Sequence, residues 1–229
     1  MKENIKKILL ETNLQDYPGS IIYSADSTLK KGDFYFLGQN PGGNKEKKYG
    51  KDTIFNQLLY SGEHNEYTQG EWTGSKGKLH QHNIKRMFKD LELDVEDIFS
   101  TNLCFIRSGH TETYNRNMDE DIRLFWPIHK YFLSIVKPNY IIANGAKARD
   151  FFKKKMKPIN NLEKKRLKKC KRYIHTAESF EGSLKIGDTT LDKLVVLAIP
   201  HLSNATDSCN DYDEYYKEGV FWLKNKIVF

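Results

Sequence analysis

The chain has 229 residues, 38% of them hydrophobic and 29% charged, and its formal net charge is +7. It is long enough to bury a substantial core, and the absence of any apolar run near 18 residues excludes a membrane-spanning helix. The three cysteines lie far apart, at positions 104, 170 and 209, which argues against a disulfide framework, a zinc site or an iron–sulfur cluster.

The N-terminus predicts an amphipathic helix. Its apolar run, Ile8 to Leu10, is too short for a signal peptide, so we expect a cytoplasmic protein. Continuous apolar runs are typical of strands buried on both faces, as in a parallel sheet. Four such runs, each bounded by turn residues, predict strands at Phe34 to Leu37, Ile98 to Ile106, Tyr140 to Ala143 and Leu194 to Ile199.

Helical patterns occupy the segments between and after these strands. They cover residues 53–60, 79–91, 117–136, 145–156 and 212–225. The third pattern begins with Asn117 and Glu120 in capping-box spacing, and Pro127 within it predicts a kink or a division into two helices. The alternation predicts a single α/β domain over residues 1–229, a three-layer α/β/α sandwich with a central, mainly parallel four-stranded sheet.

The positive charge is concentrated in one segment. Residues 153–172 contain eleven Lys or Arg and one acid, a net +10 that leaves −3 on the rest of the chain. Such a strip is typical of a phosphate-binding surface, although a solvated lysine-rich face explains the charge alone equally well. We interpret this segment as a basic insertion, in which residues 161–172 suit a basic helix with Leu162 as its main apolar contact.

Polar segments follow the predicted strands, and ligand sites in such folds lie at the carboxyl ends of strands. The segments are Gly38 to Gly43, Arg107 to His110, Asn144 to Ala146 and Pro200 to Asn204. In the first, Pro41 stiffens the turn and favours an extended Asn40, whose side chain then projects into the cleft. An ordinary strand–helix loop explains the same residues.

Two further side chains, those of Asn102 and His201, are candidates for binding or catalysis. Asn102 interrupts an apolar strand, and a buried amide must be satisfied by the protein or by a ligand. Its acceptor and two donors can match the edge of a pyrimidine. His201 follows the fourth strand, where it can donate a hydrogen bond or hold a proton near neutral pH, although a lone histidine is more often structural.

Together, and in this order between Phe34 and Ser203, these motifs resemble the uracil-DNA glycosylase superfamily. Gly38 to Gly42 is similar to its water-activating loop, with the Asn of the mismatch-specific and single-strand-selective branches at position 40. Asn102 falls where the family keeps a base-reading Asn. Residues 126–148 are similar to the helix–Pro–strand–Gly stretch of the small-domain glycosylases.

Two positions depart from the family pattern. Pro200 to Ser203 resembles the second catalytic motif but has Leu202 where the family usually has Pro. Gly42 replaces the bulky Tyr with which the archetypal branch excludes C5-substituted pyrimidines. We therefore expect the fold to be kept and the choice of base to differ.

The resemblance implies a monofunctional DNA glycosylase that hydrolyses the N-glycosidic bond of uracil or a C5-modified pyrimidine, in repair or in defence against modified phage DNA. Asn40 would orient the attacking water, since an amide is not a base, and His201 would donate a hydrogen bond to the departing base. We expect a monomer that acts on DNA without cofactor or metal. The residues expected to bind the base are Gln39, Pro41, Gly42, Asn102, Tyr49 and Phe55. The residues expected to contact DNA are Ser203, Asn204, Lys164, Lys165, Arg166, Lys168 and Lys169.

Two other functions suit the same sequence. A catalytically inactive nucleic-acid-binding protein of the same fold is compatible with the altered second motif. A nucleotide- or nucleoside-processing enzyme is also compatible, although the basic strip argues against it. Among the weaker features, we expect His80 and His82 to be solvent-exposed at a helix start, and residues 63–78 to form a surface loop anchored by Trp72.

Overall fold

A computed structural model describes residues 1–42, 52–72, 74–108, 114, 116–170, 173–202 and 211–228. The strands are β1 (Phe34–Gly38), β2 (Phe99–Asn102), β3 (Tyr140–Asn144), β4 (Ile159–Cys170), β5 (Tyr173–Ile186) and β6 (Thr189–Ile199). The helices are α1 (Lys2–Thr12), α2 (Ile54–Tyr60), α3 (Gly74–Asp90), α4 (Met118–Val136), α5 (Ala146–Lys155), α6 (Tyr212–Tyr215) and α7 (Lys217–Lys224). None of these helices is long and apolar enough to cross a membrane.

The strands form one sheet in the order β2-β1-β3-β6-β5-β4. The first four of these are parallel to one another, whereas β5 is antiparallel to both β6 and β4. The prediction of a mainly parallel sheet is therefore confirmed for the four apolar strands, but the predicted number of four strands is wrong, because the sheet has six. The two additional strands carry many polar and charged residues, so they leave no apolar run in the sequence.

Helices cover both faces of the sheet and make the structure a three-layer α/β/α sandwich, as expected. Buried side chains of α1, α2, α4 and α5 pack on one face, with Phe125 and Phe132 of α4 at the centre of that core. On the opposite face, Phe88 of α3 and Tyr216 and Val220 near the C-terminus pack against the sheet. The polar segments follow the carboxyl ends of the parallel strands, between these two layers.

Helix α4 forms as its sequence predicts. Its N-cap, Asn117, accepts hydrogen bonds from the backbone N–H groups of Asp119 and Glu120, at 3.1 and 3.3 Å. Because an N-cap side chain satisfies donors that the first helical turn leaves free, it defines where the helix begins. The helix continues through Pro127 to Val136, so the segment is one helix and not two.

The basic segment does not form the expected helix. Residues 159–170 are strand β4, which pairs with β5 as a long antiparallel hairpin at the edge of the sheet. Leu162, the expected apolar contact, is exposed, and Leu167 is the buried residue instead. Lysine and leucine are good helix formers, but intrinsic helix propensity amounts to less than about 1 kcal/mol per residue, and pairing along a long partner strand overrides it here.

Candidate active site

The four parallel strands end in one row across the sheet. Gly38 of β1 pairs with Asn102 of β2, and Asn144 of β3 pairs with Ile199 of β6. Residue 40 follows the end of β1 by two positions, and residue 201 follows the end of β6 by two. Strand β3 lies between β1 and β6, so the ends of β1 and β6 are about 10 Å apart.

The amide of Asn40 is held in one orientation. Its Nδ2 donates to the Pro41 carbonyl and to Ser108 Oγ, both at 3.0 Å. With both N–H groups used, the Oδ1 atom remains as the acceptor, and its described neighbour is Gln39 Nε2 at 3.5 Å. An amide oxygen in this position can accept a hydrogen bond from a water molecule.

The chain beyond β2 fixes the backbone of the Asn40 loop. The N–H groups of Leu103 and Cys104 donate to the carbonyls of Gly38 and Gln39, both at 2.9 Å, and the Ser108 N–H donates to the Pro41 carbonyl at 3.0 Å. The predicted strand 98–106 is thus shorter than expected. Its second half still runs along the loop and holds it rigid.

The buried imidazole of His129, on α4, supports this segment from the core. His129 Nε2 donates to the Leu103 carbonyl at 3.1 Å, and its Nδ1 accepts from the Tyr35 hydroxyl at 3.2 Å. Burial lowers the pKa of His129 to about 4, so the ring is neutral at pH 7. The residue is structural, because it fixes the backbone next to Asn102.

Asn102 offers a hydrogen-bond donor at the end of β2. The residue is 4% exposed, and its Nδ2 has no hydrogen-bond partner within 3.5 Å among the described residues, although the Tyr23 hydroxyl lies near the amide. Its Oδ1 lies against the backbone of Gly38, where an added Cβ would be only 2.2 Å away, so glycine is required at that position. A buried polar group without a partner is costly, and here it is positioned for a ligand.

His201 lies at the end of β6 with its ring packed on protein. The His80 ring is 4.8 Å from it between centroids, and Gly145 lies beside it. A Cβ on Gly145, whose φ is +110°, would be 3.2 Å from His201 Cδ2. Although part of the side chain stays accessible, burial lowers the pKa of His201 to about 4. The imidazole is therefore neutral at pH 7 and carries one N–H.

A set of amides holds the backbone next to His201. The Leu202 N–H donates to Asn144 Oδ1 at 3.0 Å, and Asn83 Nδ2 donates to the Leu202 carbonyl at 3.2 Å. Asn144 Nδ2 in turn donates to His80 Nε2 at 3.2 Å. The Leu202 N–H, which a proline at this position would lack, is therefore fully satisfied.

His80 is not at the surface as expected. The helix begins at Gly74, so His80 lies in its second turn and faces the strand ends, while His82 is exposed. Burial, and then the neighbouring His201, hold the pKa of His80 well below its usual value. Trp72 packs against the His80 ring, with centroids 5.5 Å apart, and therefore also lies near the strand ends.

The structure brings most of the predicted site residues together. Asn40, Asn102 and His201 share one edge of the sheet with Gln39, Pro41 and Gly42. Phe55 lies elsewhere: its ring packs against α1, with Lys6 Nζ 5.5 Å from the ring centroid. Lys164, Lys165, Arg166 and Lys168 lie on β4. Tyr49, Ser203, Asn204 and the Lys169 side chain lie outside what the structure describes.

Four residues of this edge were not predicted as site residues. Ser108 and Asn144 belong to polar segments at strand ends, so that position was their signal. His80 and Asn83 are three residues apart on a helix, a spacing that places both on one face. Within the described part of the chain, no group of three or more His, Cys, Asp or Glu side chains is arranged to hold a metal ion.

The fold and this edge define the class of protein: a three-layer α/β protein whose strand ends carry neutral hydrogen-bonding groups. The family model of the uracil DNA glycosylase superfamily matches residues 28–219, which include all six strands. The chain therefore belongs to that superfamily, whose members generally hydrolyse N-glycosidic bonds and act on DNA. No curated protein matches the chain.

Proposed function

We propose that this protein is a monofunctional DNA glycosylase that hydrolyses the N-glycosidic bond of uracil or a C5-modified pyrimidine in DNA. The observation that carries the proposal is the buried Asn102 amide at the same sheet edge as Asn40 and His201, whose Nδ2 lies near the Tyr23 hydroxyl but has no described hydrogen-bond partner within 3.5 Å. We further propose that it acts in the cytoplasm, as a monomer, without cofactor or metal.

Recognition of the base is assigned to Asn102. The target base must leave the DNA stack to enter the site, which costs a few kcal/mol and favours mispaired or damaged bases. In the site, Asn102 Nδ2 donates to a carbonyl oxygen of the pyrimidine edge. This bond replaces the missing partner of a buried donor, so a base without that acceptor is rejected.

The attacking water is assigned to Asn40. Cleavage of a glycosidic bond passes through a sugar cation, so a positioned water suffices as nucleophile. Because Ser108 and the Pro41 carbonyl accept from Asn40 Nδ2, Asn40 Oδ1 is left to accept a hydrogen bond from that water. Asn40 orients the water without removing its proton, which passes to the departing pyrimidine anion or to solvent as the water adds to the sugar cation. The proposed chemistry uses a water and no amine, so no lyase step accompanies it.

His201 is assigned to the departing base. As the bond breaks, negative charge develops on a ring oxygen of the pyrimidine, and a fixed N–H donor stabilises this charge most in the transition state. The neutral imidazole donates that bond at pH 7. Its orientation is maintained by Gly145 on one side and by the bonded pair of Asn144 and His80 on the other.

The tolerance of the site for C5 substituents is assigned to Gly42. Gly42 is exposed, and a Cβ there would meet no atom of a described residue within 4 Å. A substituent at C5 then has space that a tyrosine would fill. The stacking ring is assigned to Tyr49, because Phe55 packs against α1. Repair of deaminated bases and attack on modified phage DNA are both compatible with this specificity.

The test is a base-excision assay on oligonucleotides that carry uracil, 5-hydroxymethyluracil or a bulkier C5-modified pyrimidine, followed by alkaline cleavage. We expect strand breaks with the wild type and strong losses in Asn40→Ala and His201→Ala. His82→Ala, an exposed change on α3, is the matched histidine control. Full activity in both site variants would remove the proposed site. Binding without abasic sites across the panel would support an inactive DNA-binding protein instead.

A further inference from the structure

The hairpin of β4 and β5 extends beyond the row of strand ends that holds the candidate site. Glu178 of β5 pairs with Ala198 of β6, and Lys164 of β4 pairs with Glu178, so Lys164 lies one position before that row. Lys165 lies in the row, and five further residues bring β4 from there to Cys170, at its end. At about 3.3 Å per residue, the hairpin extends roughly 15 Å past the row on the side of His201.

One face of β4 is neutralised by the C-terminal helices. Lys165 Nζ pairs with Glu218 of α7 at 2.6 Å, and Lys168 pairs with Glu214 of α6. Leu167, on the same face, packs against Gly219 of α7. The lysines of this face therefore already have carboxylate partners.

The other face of β4 keeps its positive charge. Lys164 and Arg166 alternate with Lys165 and Leu167, so they point to the α5 side of the sheet. Both are exposed, and neither has an ion-pair partner among the described residues. The carboxylate nearest in register, Glu178, is buried and already binds Arg149 and Lys153 of α5.

We infer that Lys164 and Arg166 bind backbone phosphates of the DNA strand next to the flipped base, whereas Lys165 and Lys168 do not. The identity of the partner as DNA rests on the proposed function. Strand β4 lies two strands from β6 in the sheet, a distance of about 10 Å. One strand of B-DNA carries a phosphate for about every 3.4 Å of helix axis, so this distance corresponds to about three nucleotides. The phosphates that flank a base held at His201 are within reach of long side chains at that distance.

The test compares two double variants with the same change in net charge. Lys164→Gln with Arg166→Gln removes the proposed contacts, and Lys165→Gln with Lys168→Gln removes two lysines that are paired with carboxylates. The probe is a 20-base-pair DNA duplex without uracil or modified bases, and the dissociation constant is measured at several NaCl concentrations. This probe reports binding whether or not the protein excises a base.

For the first variant we expect the slope of log affinity against log salt to become shallower by about 1.8, with binding at 0.1 M salt roughly 60-fold weaker. For the second we expect a change in slope below about 0.5, since those lysines already have partners.

Equal changes in slope for the two variants would overturn the inference, because the effect would then follow net charge alone. Unchanged slopes in both would also overturn it and leave the charges of β4 as protection of an edge strand against pairing. A shallower slope in the first variant, together with no abasic sites on any substrate, would support the DNA contact while refuting the proposed glycosylase activity.

Discussion

Lowering the pH from 7 to 5 should destabilise the protein through its buried histidines, and His129→Gln should remove a defined part of that loss. His129 is 2% exposed, and burial lowers its pKa to about 4. The unfolded chain binds the same proton near pH 6.5, so between these values the unfolded state holds more protons. The stabilisation from neutral His129 is complete above pH 6.5 and decreases as the pH falls toward 4. Linkage gives a loss of about 2 kcal/mol between pH 7 and pH 5 for this one histidine.

The assay is urea unfolding of wild type and His129→Gln at both pH values. Only the change with pH is compared, so the cost of the substitution at pH 7 cancels. We expect the variant to lose about 2 kcal/mol less than the wild type. His201→Gln should also reduce the loss, because burial lowers the pKa of His201. His82→Gln, an exposed change, should behave as the wild type. An equal loss in wild type and His129→Gln would refute the reasoning.

Three substitutions test the remaining parts of the site. Gly38→Ala places a Cβ 2.2 Å from Asn102 Oδ1 and should lower kcat/KM by at least about 100-fold, with a melting temperature that shows the protein still folded. The Cβ of Gly42→Tyr meets no atom of the described part of the chain, and the substitution should lower excision of 5-hydroxymethyluracil relative to uracil by about tenfold or more in competition assays. Ser108→Ala removes an acceptor of Asn40 and should lower kcat by about tenfold with KM unchanged, while Ser108→Thr retains activity. A higher KM with an unchanged kcat for Ser108→Ala would contradict the assigned role of Ser108.

The parallel part of the fold follows from the sequence because buried strands must be apolar on both faces. Phe34 to Leu37 and Tyr140 to Ala143 show this pattern, and both match observed strands closely. Strand β4 lacks it, because one of its faces pairs with acids of α6 and α7 and the other is exposed. Its conformation depends on pairing with β5, which a window of local sequence does not contain.

The candidate site also has a part that the sequence predicts and a part that it does not. Asn40, Asn102 and His201 were predictable, since each follows or ends a strand and the carboxyl ends of parallel strands meet at one edge. Asn83 and Leu202 are 119 residues apart, and their contact depends on how α3 packs against the sheet. The hydrogen bonds that orient a side chain are therefore less visible in the sequence than the side chain itself.

Leu202 shows how a departure from a family pattern is accommodated by its surroundings. Proline at this position has no N–H, whereas leucine adds a donor that is costly when buried. Asn144 Oδ1 accepts from that donor, and its Nδ2 is bonded to His80 Nε2. This second bond requires His80 Nε2 to be unprotonated, which agrees with the lowered pKa of His80. The leucine thus adds a fixed hydrogen bond to the backbone next to His201. This bond holds the imidazole in place where the family usually has the rigid ring of a proline.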